Sequence, residues 1–177
     1  NKMCGIVGYI GNRNSINIIF DGLKRLEYRG YDSAGVAVIN DENEFNYYKK
    51  AGKVKELEKQ FNGEILEGKI GIGHTRWATH GEPNDNNAHP HFDMSKNITI
   101  VHNGIIENFK TLKKKLTKEG FTFSTDTDTE VLANLIEFHY RSKNNFEIAV
   151  RFALSEVEGT YGIACLCKAE PDKIIIA

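Results

Sequence analysis

Apolar and polar residues follow two periods along the chain, and each period predicts one kind of element. Residues 3–10, 36–39 and 98–101 are short, mostly apolar runs of strand length. Between residues 16 and 26 the apolar side chains instead recur every three or four positions, which predicts a helix with one buried face. Strands come in pairs and helices come in pairs, without regular β–α alternation. This order predicts a layered α+β fold with mainly antiparallel sheets.

The second half of the chain shows the same patterns, interrupted by irregular stretches. Residues 121–123 predict a short strand, because two phenylalanines flank a threonine. The Thr/Asp-rich residues 125–130 precede a helical pattern and are expected to cap that helix. Asp126 and Asp128 are alternatively a carboxylate pair for acid–base catalysis. Residues 82–95 contain two of the three prolines and no periodicity; such a long loop is usually functional or disordered, and its histidines favour a function.

Composition excludes several classes of function. The 177 residues carry 23 Lys and Arg against 24 Asp and Glu, which is a net charge of −1. This balance gives no electrostatic attraction to nucleic acid or to a membrane surface, so we expect neither as a partner. No apolar stretch approaches the roughly 20 residues of a membrane span. The three cysteines are an odd number, which argues against a disulfide scaffold and predicts reduced thiols in the cytoplasm.

The length and the two ends of the chain bear on its domain organisation. Residues 3–177 are long enough for one domain with a hydrophobic core. Asn1 and Lys2 resemble the remnant of an expression tag, so we expect the natural chain to begin at Met3. Residues 173–177 stop within an apolar, strand-like run. We therefore expect a piece of a longer protein.

Cys4 is the residue on which the candidate chemistry centres. Once Met3 is removed, Cys4 would carry the free α-amine, and a thiol and an amine on one residue supply both a nucleophile and a general base. Ordinary pKa values of about 8.5 for a thiol and about 7.7–8.0 for an α-amine suit proton transfer at physiological pH. The alternative is that Cys4 is a small core residue. While its amine is held in a peptide bond, we expect the chain to be nearly inactive.

Further candidate binding residues follow predicted strands or precede a helix. Arg76, beside Trp77 in a glycine-flanked loop, is suited to hold a carboxylate through two parallel hydrogen bonds; the alternative is a stacked surface pair. Asn103 and Gly104 form a common turn dipeptide. An amide side chain beside an unhindered N–H can equally supply two donors to an oxyanion. A carboxylate at Asp128 can face the ammonium group of a ligand.

The histidines leave a metal site open as an alternative. His74 with His80, or His89 with His91, could reach a common ion from a loop. The sequence contains neither a Cys-x-x-Cys pair nor a His-Glu-x-x-His motif, and spacing alone does not select zinc. We therefore expect no metal and no cofactor.

Six sequence blocks occur together in an order that is similar to a known family. They are CGIVG at residues 4–8, YRGYDSAG at 28–35, HTRWATHG at 74–81, AHPH at 88–91, HNGIIEN at 102–108 and TDTE at 127–130. Together they resemble the glutaminase domain of class II glutamine amidotransferases, which are N-terminal-nucleophile hydrolases. Within that family the resemblance is greatest to the glutamine–fructose-6-phosphate transaminases (isomerising), and it covers nearly the whole chain.

This resemblance implies a fold, a reaction and a set of site residues. The fold is a four-layer αββα sandwich. Cys4 would attack the side-chain amide of glutamine, and Asn103 through its side chain and Gly104 through its N–H would bind the oxyanion. Arg76 would bind the α-carboxylate of glutamine and Asp128 its α-ammonium. The supporting residues that the resemblance implies are Trp77, Thr79 and His80 in the pocket and Arg29 with Gly30 beside the nucleophile.

The resemblance also implies partners. L-Glutamine would be the substrate, and fructose 6-phosphate would receive the ammonia in a second, sugar-isomerase domain that this chain lacks. The full-length enzyme would be a homodimer. Three other hypotheses stay open. The chain could be an N-terminal-nucleophile amidase that acts on a different amide, the glutaminase domain of another class II amidotransferase, or a non-catalytic regulatory or metal-binding module.

Overall fold

The structure is a computed structural model that describes residues 4–60, 67–77 and 82–177. Its strands are β1 (Gly5–Ile10), β2 (Ser33–Ile39), β3 (Phe45–Ala51), β4 (Ile70–Arg76), β5 (His91–Phe92), β6 (Ile98–Ile106), β7 (Gly159–Cys167) and β8 (Glu170–Ile176). Its helices are α1 (Ser15–Leu26), α2 (Val54–Gln60), α3 (Phe109–Lys118), α4 (Asp128–Lys143) and α5 (Phe146–Ser155), with a 3-10 turn at Glu27–Arg29.

The described strands form two antiparallel sheets of four strands each. The first sheet has the order β1-β4-β2-β3 and the second has the order β5-β6-β7-β8. In the first sheet Gly5 pairs with Thr75 and Ser33 pairs with Arg76, so β4 lies between β1 and β2. In the second sheet β6 pairs with β7 along its whole length. The predicted α+β class with mainly antiparallel sheets is confirmed.

Alternation of side chains along the strands builds three hydrophobic layers. On β2, Val36 and Val38 pack against α1 and α2, whereas Ala37 and Ile39 face the second sheet. Helices α3, α4 and α5 cover the outer face of the second sheet. Burying one such aliphatic side chain completely contributes about 1.5–3 kcal/mol, so these layers hold the sheets and helices together. The order helix, sheet, sheet, helix confirms the predicted αββα sandwich.

Close packing of α1 on the first sheet depends on glycine in β4. A Cβ at Gly73 would lie 2.4 Å from Cγ2 of Ile19, and a Cβ at Gly71 would lie 2.7 Å from Cδ1 of the same residue. Ile19 and Leu23 are completely buried at this contact. The absence of a side chain at these two positions lets the helix approach β4 closely, which fixes the layer behind the strand that ends at Arg76.

The predicted strand at residues 121–123 is wrong. The N–H of Phe121 donates to the carbonyl oxygen of Leu116 at 3.0 Å, which completes the end of α3. The N–H of Ser124 donates to the carboxylate of Glu130 at 2.8 Å. Because helix α3 and a side chain take these donors, this stretch does not pair with a neighbouring strand.

The Thr/Asp-rich segment caps α4 as predicted. Oγ1 of Thr127 accepts a hydrogen bond from the N–H of Glu130 at 3.3 Å. Asp126 is exposed and Asp128 is buried, so the two carboxylates lie in different environments and do not form a pair. The loop predicted at residues 82–95 carries the short strand β5 at the edge of the second sheet.

Four buried histidines, called here the histidine cluster, lie where β4, β5 and β6 come together: His74, His89, His91 and His102. The ring of His89 lies 4.3 Å from that of His74 and 4.7 Å from that of His91, measured between centroids. The N–H of His102 donates to Nδ1 of His89 at 3.2 Å, which leaves the single proton of His89 on Nε2. Burial lowers the pKa of His74 to about 3 and holds the pKa of His89 and His91 well below the ordinary value.

We expect Gly104→Ala to destabilise the fold strongly and Gly162→Ala to be tolerated. Gly104 has a φ of +126°, and a Cβ there would lie 2.0 Å from the carbonyl oxygen of Thr160 on β7. A Cβ at Gly162, on the same strand pair, would meet nothing within 4 Å. Gly104→Ala should lower the free energy of unfolding by about 3 kcal/mol or more, and Gly162→Ala should change it by less than about 1 kcal/mol. Urea unfolding followed by circular dichroism measures both, and equal stability of the two variants would contradict this role.

We expect acid to destabilise the domain through the histidine cluster. At pH 7.5 the imidazoles of His74, His89 and His91 are neutral in both states. Below about pH 6.5 the unfolded chain gains protons that these three groups exclude in the folded chain, so stability falls as pH falls. Besides burial and the neighbouring imidazoles, the positive charges of Lys49 and Arg76 oppose protonation. Three such histidines lower the free energy of unfolding by about 4 kcal/mol between pH 7.5 and 5.5.

Denaturant titrations across this pH range test the effect. His91→Gln should remove about a third of the pH dependence. His139→Gln, a matched change outside the cluster, should leave most of it in place. A free energy of unfolding that varies by less than about 1 kcal/mol between pH 7.5 and 5.5 would show that the cluster is not neutral in the folded state.

Candidate active site

A cavity of about 230 Å³ lies where the start of β1 and the end of β4 meet β6 and the start of α4. The described residues that line it are Cys4, Arg76, Trp77, His89, His102, Gly104, Ile105, Thr127, Asp128, Thr129 and Thr160. Five of the predicted site residues therefore share one cavity: Cys4, Arg76, Trp77, Gly104 and Asp128.

Strand register brings Cys4 next to Arg76. Gly5 pairs with Thr75, so the residue before Gly5 lies beside the end of β4. The backbone N–H of Trp77 donates to Sγ of Cys4 at 3.1 Å, and the thiol donates to the carbonyl oxygen of Trp77 at 3.6 Å. The sulfur is thereby held between two backbone groups at the wall of the cavity.

The surroundings of Cys4 favour the neutral thiol. Burial raises the pKa of Cys4, while the hydrogen bond from Trp77 and the positive charge of Arg76 oppose that change without cancelling it. The thiol is therefore mostly protonated at neutral pH. For Cys4 to act as a nucleophile, a base must take its proton during attack.

Arg76 and Asp128 place one positive and one negative charge on the cavity wall. Arg76 is only 4% exposed. Burial lowers its pKa, whereas Asp32, Cys4 and Asp128 raise it, and a guanidinium so placed stays charged. Asp128 is the first residue of α4, where the helix dipole favours an anion, and its Oδ2 accepts a hydrogen bond from the N–H of Ile106 at 2.9 Å. This pair of charges is complementary to the zwitterionic end of an amino acid.

Asn103 links the two sheets at the nucleophile. Its Nδ2 donates to the backbone carbonyl oxygen of Cys4 at 3.4 Å. Its Oδ1 accepts a hydrogen bond from Nε2 of His74 at 2.7 Å. The donor end of this amide therefore points toward Cys4, and the acceptor end points toward β4. Gly104, the next residue, lines the cavity itself.

Of the remaining predicted residues, Arg29 and Gly30 are not brought to the cavity. Thr79 and His80 lie outside the described residues. Nε of Arg29 donates to the hydroxyl of the neighbouring Tyr28 at 3.4 Å, at an exposed turn. Gly30 closes the same turn with a φ of +73°. In the described part of the chain, neither Arg29 nor Gly30 is among the residues that line the cavity.

The sequence suggested no role in glutamine binding or hydrolysis for Thr129, His102 or His74, and indicated His74 only as a possible metal ligand. Oγ1 of Thr129 lies 3.0 Å from Nδ1 of His102 and donates to Oδ1 of Asp128 at 3.5 Å, so it joins the histidine cluster to the cavity. Strand alternation could have indicated His74, which precedes Arg76 by two positions and therefore shares its face of β4. The contact between Thr129 and His102 joins an α4 residue to a β6 residue, and no local pattern reports it.

Several ring nitrogens of the histidine cluster form hydrogen bonds within the protein. Nε2 of His91 donates to the carbonyl oxygen of Asn87 at 3.3 Å, and His89 accepts at Nδ1 as described above. Among the described residues, no group of three or more His, Cys, Asp or Glu side chains is arranged to hold a metal ion. None of the described helices combines the length and the apolar composition that a bilayer span requires.

The family model and the relatives that match this sequence agree with one another. Residues 49–153 match the model of a family described as a glutamine amidotransferase domain. The glutamine–fructose-6-phosphate aminotransferase (isomerizing) of Pyrococcus horikoshii is 55% identical over 175 residues, which cover 99% of this chain and 29% of that protein. The enzyme of the same name from Bacteroides thetaiotaomicron is 54% identical over 177 residues, with the same coverage of both chains. The chain thus spans 29% of the length of these relatives.

Solved structures agree with this family. The glutamine phosphoribosylpyrophosphate amidotransferase of B. subtilis superposes with a TM-score of 0.76 at 30% identity, over 92% of this chain and 35% of that one. An allosteric regulatory enzyme of purine biosynthesis superposes with a TM-score of 0.81 at 30% identity, over 97% of this chain and 36% of that one. The family match covers more than half of the sequence, and the sandwich of two antiparallel sheets is common to these structures. The chain belongs to the family of glutamine amidotransferase domains.

Proposed function

We propose that the chain hydrolyses L-glutamine to glutamate and ammonia, with Cys4 as the nucleophile. One observation carries the proposal: Sγ of Cys4 lies at the wall of the same cavity as the buried charges of Arg76 and Asp128. A glutamine molecule has a carboxylate and an ammonium group at one end and a carboxamide at the other. Binding of the charged end at Arg76 and Asp128 would direct the carboxamide toward Cys4.

The charged groups would recognise the amino-acid end of the substrate. Arg76 would bind the α-carboxylate through its guanidinium fork, and Asp128 would bind the α-ammonium. Both groups are already buried and held, so little side-chain entropy is lost when the substrate enters. Trp77, Thr79 and His80 would complete the pocket.

The reaction would proceed in two steps. The thiol of Cys4 attacks the carboxamide carbon, its proton moves by way of a base to the leaving nitrogen, and ammonia departs as a thioester forms. Water then attacks the thioester, which yields glutamate and restores the thiol. The side chain of Asn103 and the N–H of Gly104 would stabilise the oxyanion in both steps, and one such donor contributes about 3–4 kcal/mol.

The base would be the α-amine of Cys4. The raised pKa of the thiol means that a proton acceptor is required. An α-amine with its ordinary pKa of about 7.7–8.0 accepts a proton near neutral pH. This step requires that residues 1–3 be removed so that Cys4 begins the chain. Arg29 and Gly30 would support the nucleophile from the adjacent turn.

The longer protein would use the ammonia elsewhere. The relatives described above are named for fructose 6-phosphate, and this chain corresponds to 29% of their length. Residues 3–177 would form the glutaminase domain, and a sugar-isomerase domain in the remaining sequence would convert fructose 6-phosphate to glucosamine 6-phosphate. That protein would be a cytoplasmic homodimer.

We expect Cys4→Ala to abolish glutamine hydrolysis and Cys165→Ala to leave it intact. Both changes remove one thiol, but Cys165 is fully buried in the hydrophobic core between the second sheet and the helices that pack on it. With Cys4 as the first residue of the chain, ammonia release should fall by at least about a thousandfold in Cys4→Ala. An ammonia assay and the unfolding midpoint of each variant are the measurements. Turnover within tenfold of the parent in Cys4→Ala would rule out this nucleophile.

We expect Asp128→Asn to weaken glutamine binding but not binding of a glutamine analogue that lacks the α-amine. Asparagine keeps an acceptor for the N–H of Ile106 and removes only the negative charge. KM for glutamine should rise by about thirtyfold, the equivalent of about 2 kcal/mol for a charged hydrogen bond. KM for the des-amino analogue should change by less than about threefold. Equal effects on both substrates would contradict the assignment and favour an amidase for a different amide.

A further inference from the structure

We propose that His74 is a positioning residue that fixes the orientation of the Asn103 side-chain amide, so that its donor end faces the reacting centre at Cys4. This inference rests on the proposed glutaminase function and adds a residue to it. His74 does not line the cavity, and it would act only through Asn103.

The contact between the two side chains is short and directional. Nε2 of His74 lies 2.7 Å from Oδ1 of Asn103, and His74 is completely buried. An amide oxygen only accepts hydrogen bonds, so this contact requires a proton on Nε2. The other end of the amide, Nδ2, donates to the carbonyl oxygen of Cys4 at 3.4 Å. The contact with His74 therefore identifies the oxygen of the amide, and the contact with the carbonyl of Cys4 identifies its nitrogen.

Rotating the amide by 180° would oppose both neighbours. The NH₂ group would then face the N–H of His74, which places two donors together. Oδ1 would face the carbonyl oxygen of Cys4, which places two acceptors together. His74 is completely buried and Asn103 is half-buried, so bulk water does not readily relieve the mismatch at His74. His74 thus selects the amide orientation in which Asn103 can donate to a developing oxyanion.

The histidine cluster holds the ring of His74 in place and keeps it neutral. Burial lowers the pKa of His74 to about 3, so the ring carries one proton at neutral pH, and the Asn103 contact locates that proton on Nε2. The ring of His89 stacks on His74 with centroids 4.3 Å apart and an interplanar angle of 17°. His89 is held in turn by the N–H of His102 at 3.2 Å. The imidazole is therefore fixed in position and charge, and its tautomer follows from the contact with Asn103.

The test compares His74→Leu with His74→Gln in the chain that begins at Cys4. Leucine fills the site without a donor, whereas the terminal amide of glutamine can place an N–H near the position of Nε2. For His74→Leu we expect kcat for glutamine to fall by about 30–100-fold and KM to change by less than about threefold, since an oxyanion donor acts mainly on the transition state. His74→Gln should recover kcat to within about fivefold of the parent.

A double-mutant cycle with Asn103→Ala separates positioning from general structural damage. Once the amide is absent, His74→Leu should lower kcat by no more than about twofold further. The rate at which iodoacetamide alkylates Cys4 needs no oxyanion donor and should be similar in all four proteins. Equal losses in both backgrounds, or an unchanged kcat in His74→Leu, would overturn the inference.

A measurement without turnover keeps this inference separate from the proposed function. The side-chain ¹⁵N and ¹H resonances of Asn103 should move in His74→Leu and return toward their original positions in His74→Gln. If the parent chain hydrolyses no glutamine, the proposed function fails, while these resonances still report whether His74 orients the amide. Resonances of Asn103 that do not respond to His74→Leu would overturn the positioning role.

Discussion

The antiparallel pairing of β4 with β1 on one side and β2 on the other is the constraint on which the site depends. Gly5 lies opposite Thr75 and Ser33 lies opposite Arg76, so the ends of all three strands meet at one point. A shift of one residue in either pairing would turn the side chains to the opposite face of the sheet. This register brings the thiol of Cys4 beside the guanidinium of Arg76.

Burial determines the chemistry of the groups that meet there. It raises the pKa of Cys4, holds His74, His89 and His91 neutral and removes Arg76 from bulk solvent. In such surroundings each polar group requires a partner, and the partners are specific: the backbone of Trp77 for the thiol, and the N–H of Ile106 for Asp128. The charges and hydrogen-bond donors of the cavity are therefore fixed in place before any ligand enters. Binding a small zwitterion and stabilising its transition state both require such preorganised groups.

The second sheet supplies the other half of the site, and the two halves meet through polar contacts. The side chain of Asn103 bridges from β6 to Cys4 and to His74. The hydroxyl of Thr129, on α4, connects His102 to the carboxylate at the start of that helix. These contacts cross between layers that the hydrophobic cores hold in place. A loss of packing at either core would therefore displace donors by distances that matter to catalysis.

The sequence alone determined the kinds of elements, their layered α+β arrangement and five of the residues that line the cavity, because periodicity and short motifs are local properties. It failed at residues 121–123, where the end of α3 takes the N–H of Phe121 and Glu130 takes the N–H of the following residue, Ser124. It also gave no sign that Arg29 would lie against Tyr28, away from the cavity wall. Only the tertiary structure decided that β4 lies between β1 and β2 and that His74 holds Asn103. Those facts follow from strand pairing and burial between segments far apart in the chain. The local pattern of residues does not encode the free energy of such long-range contacts.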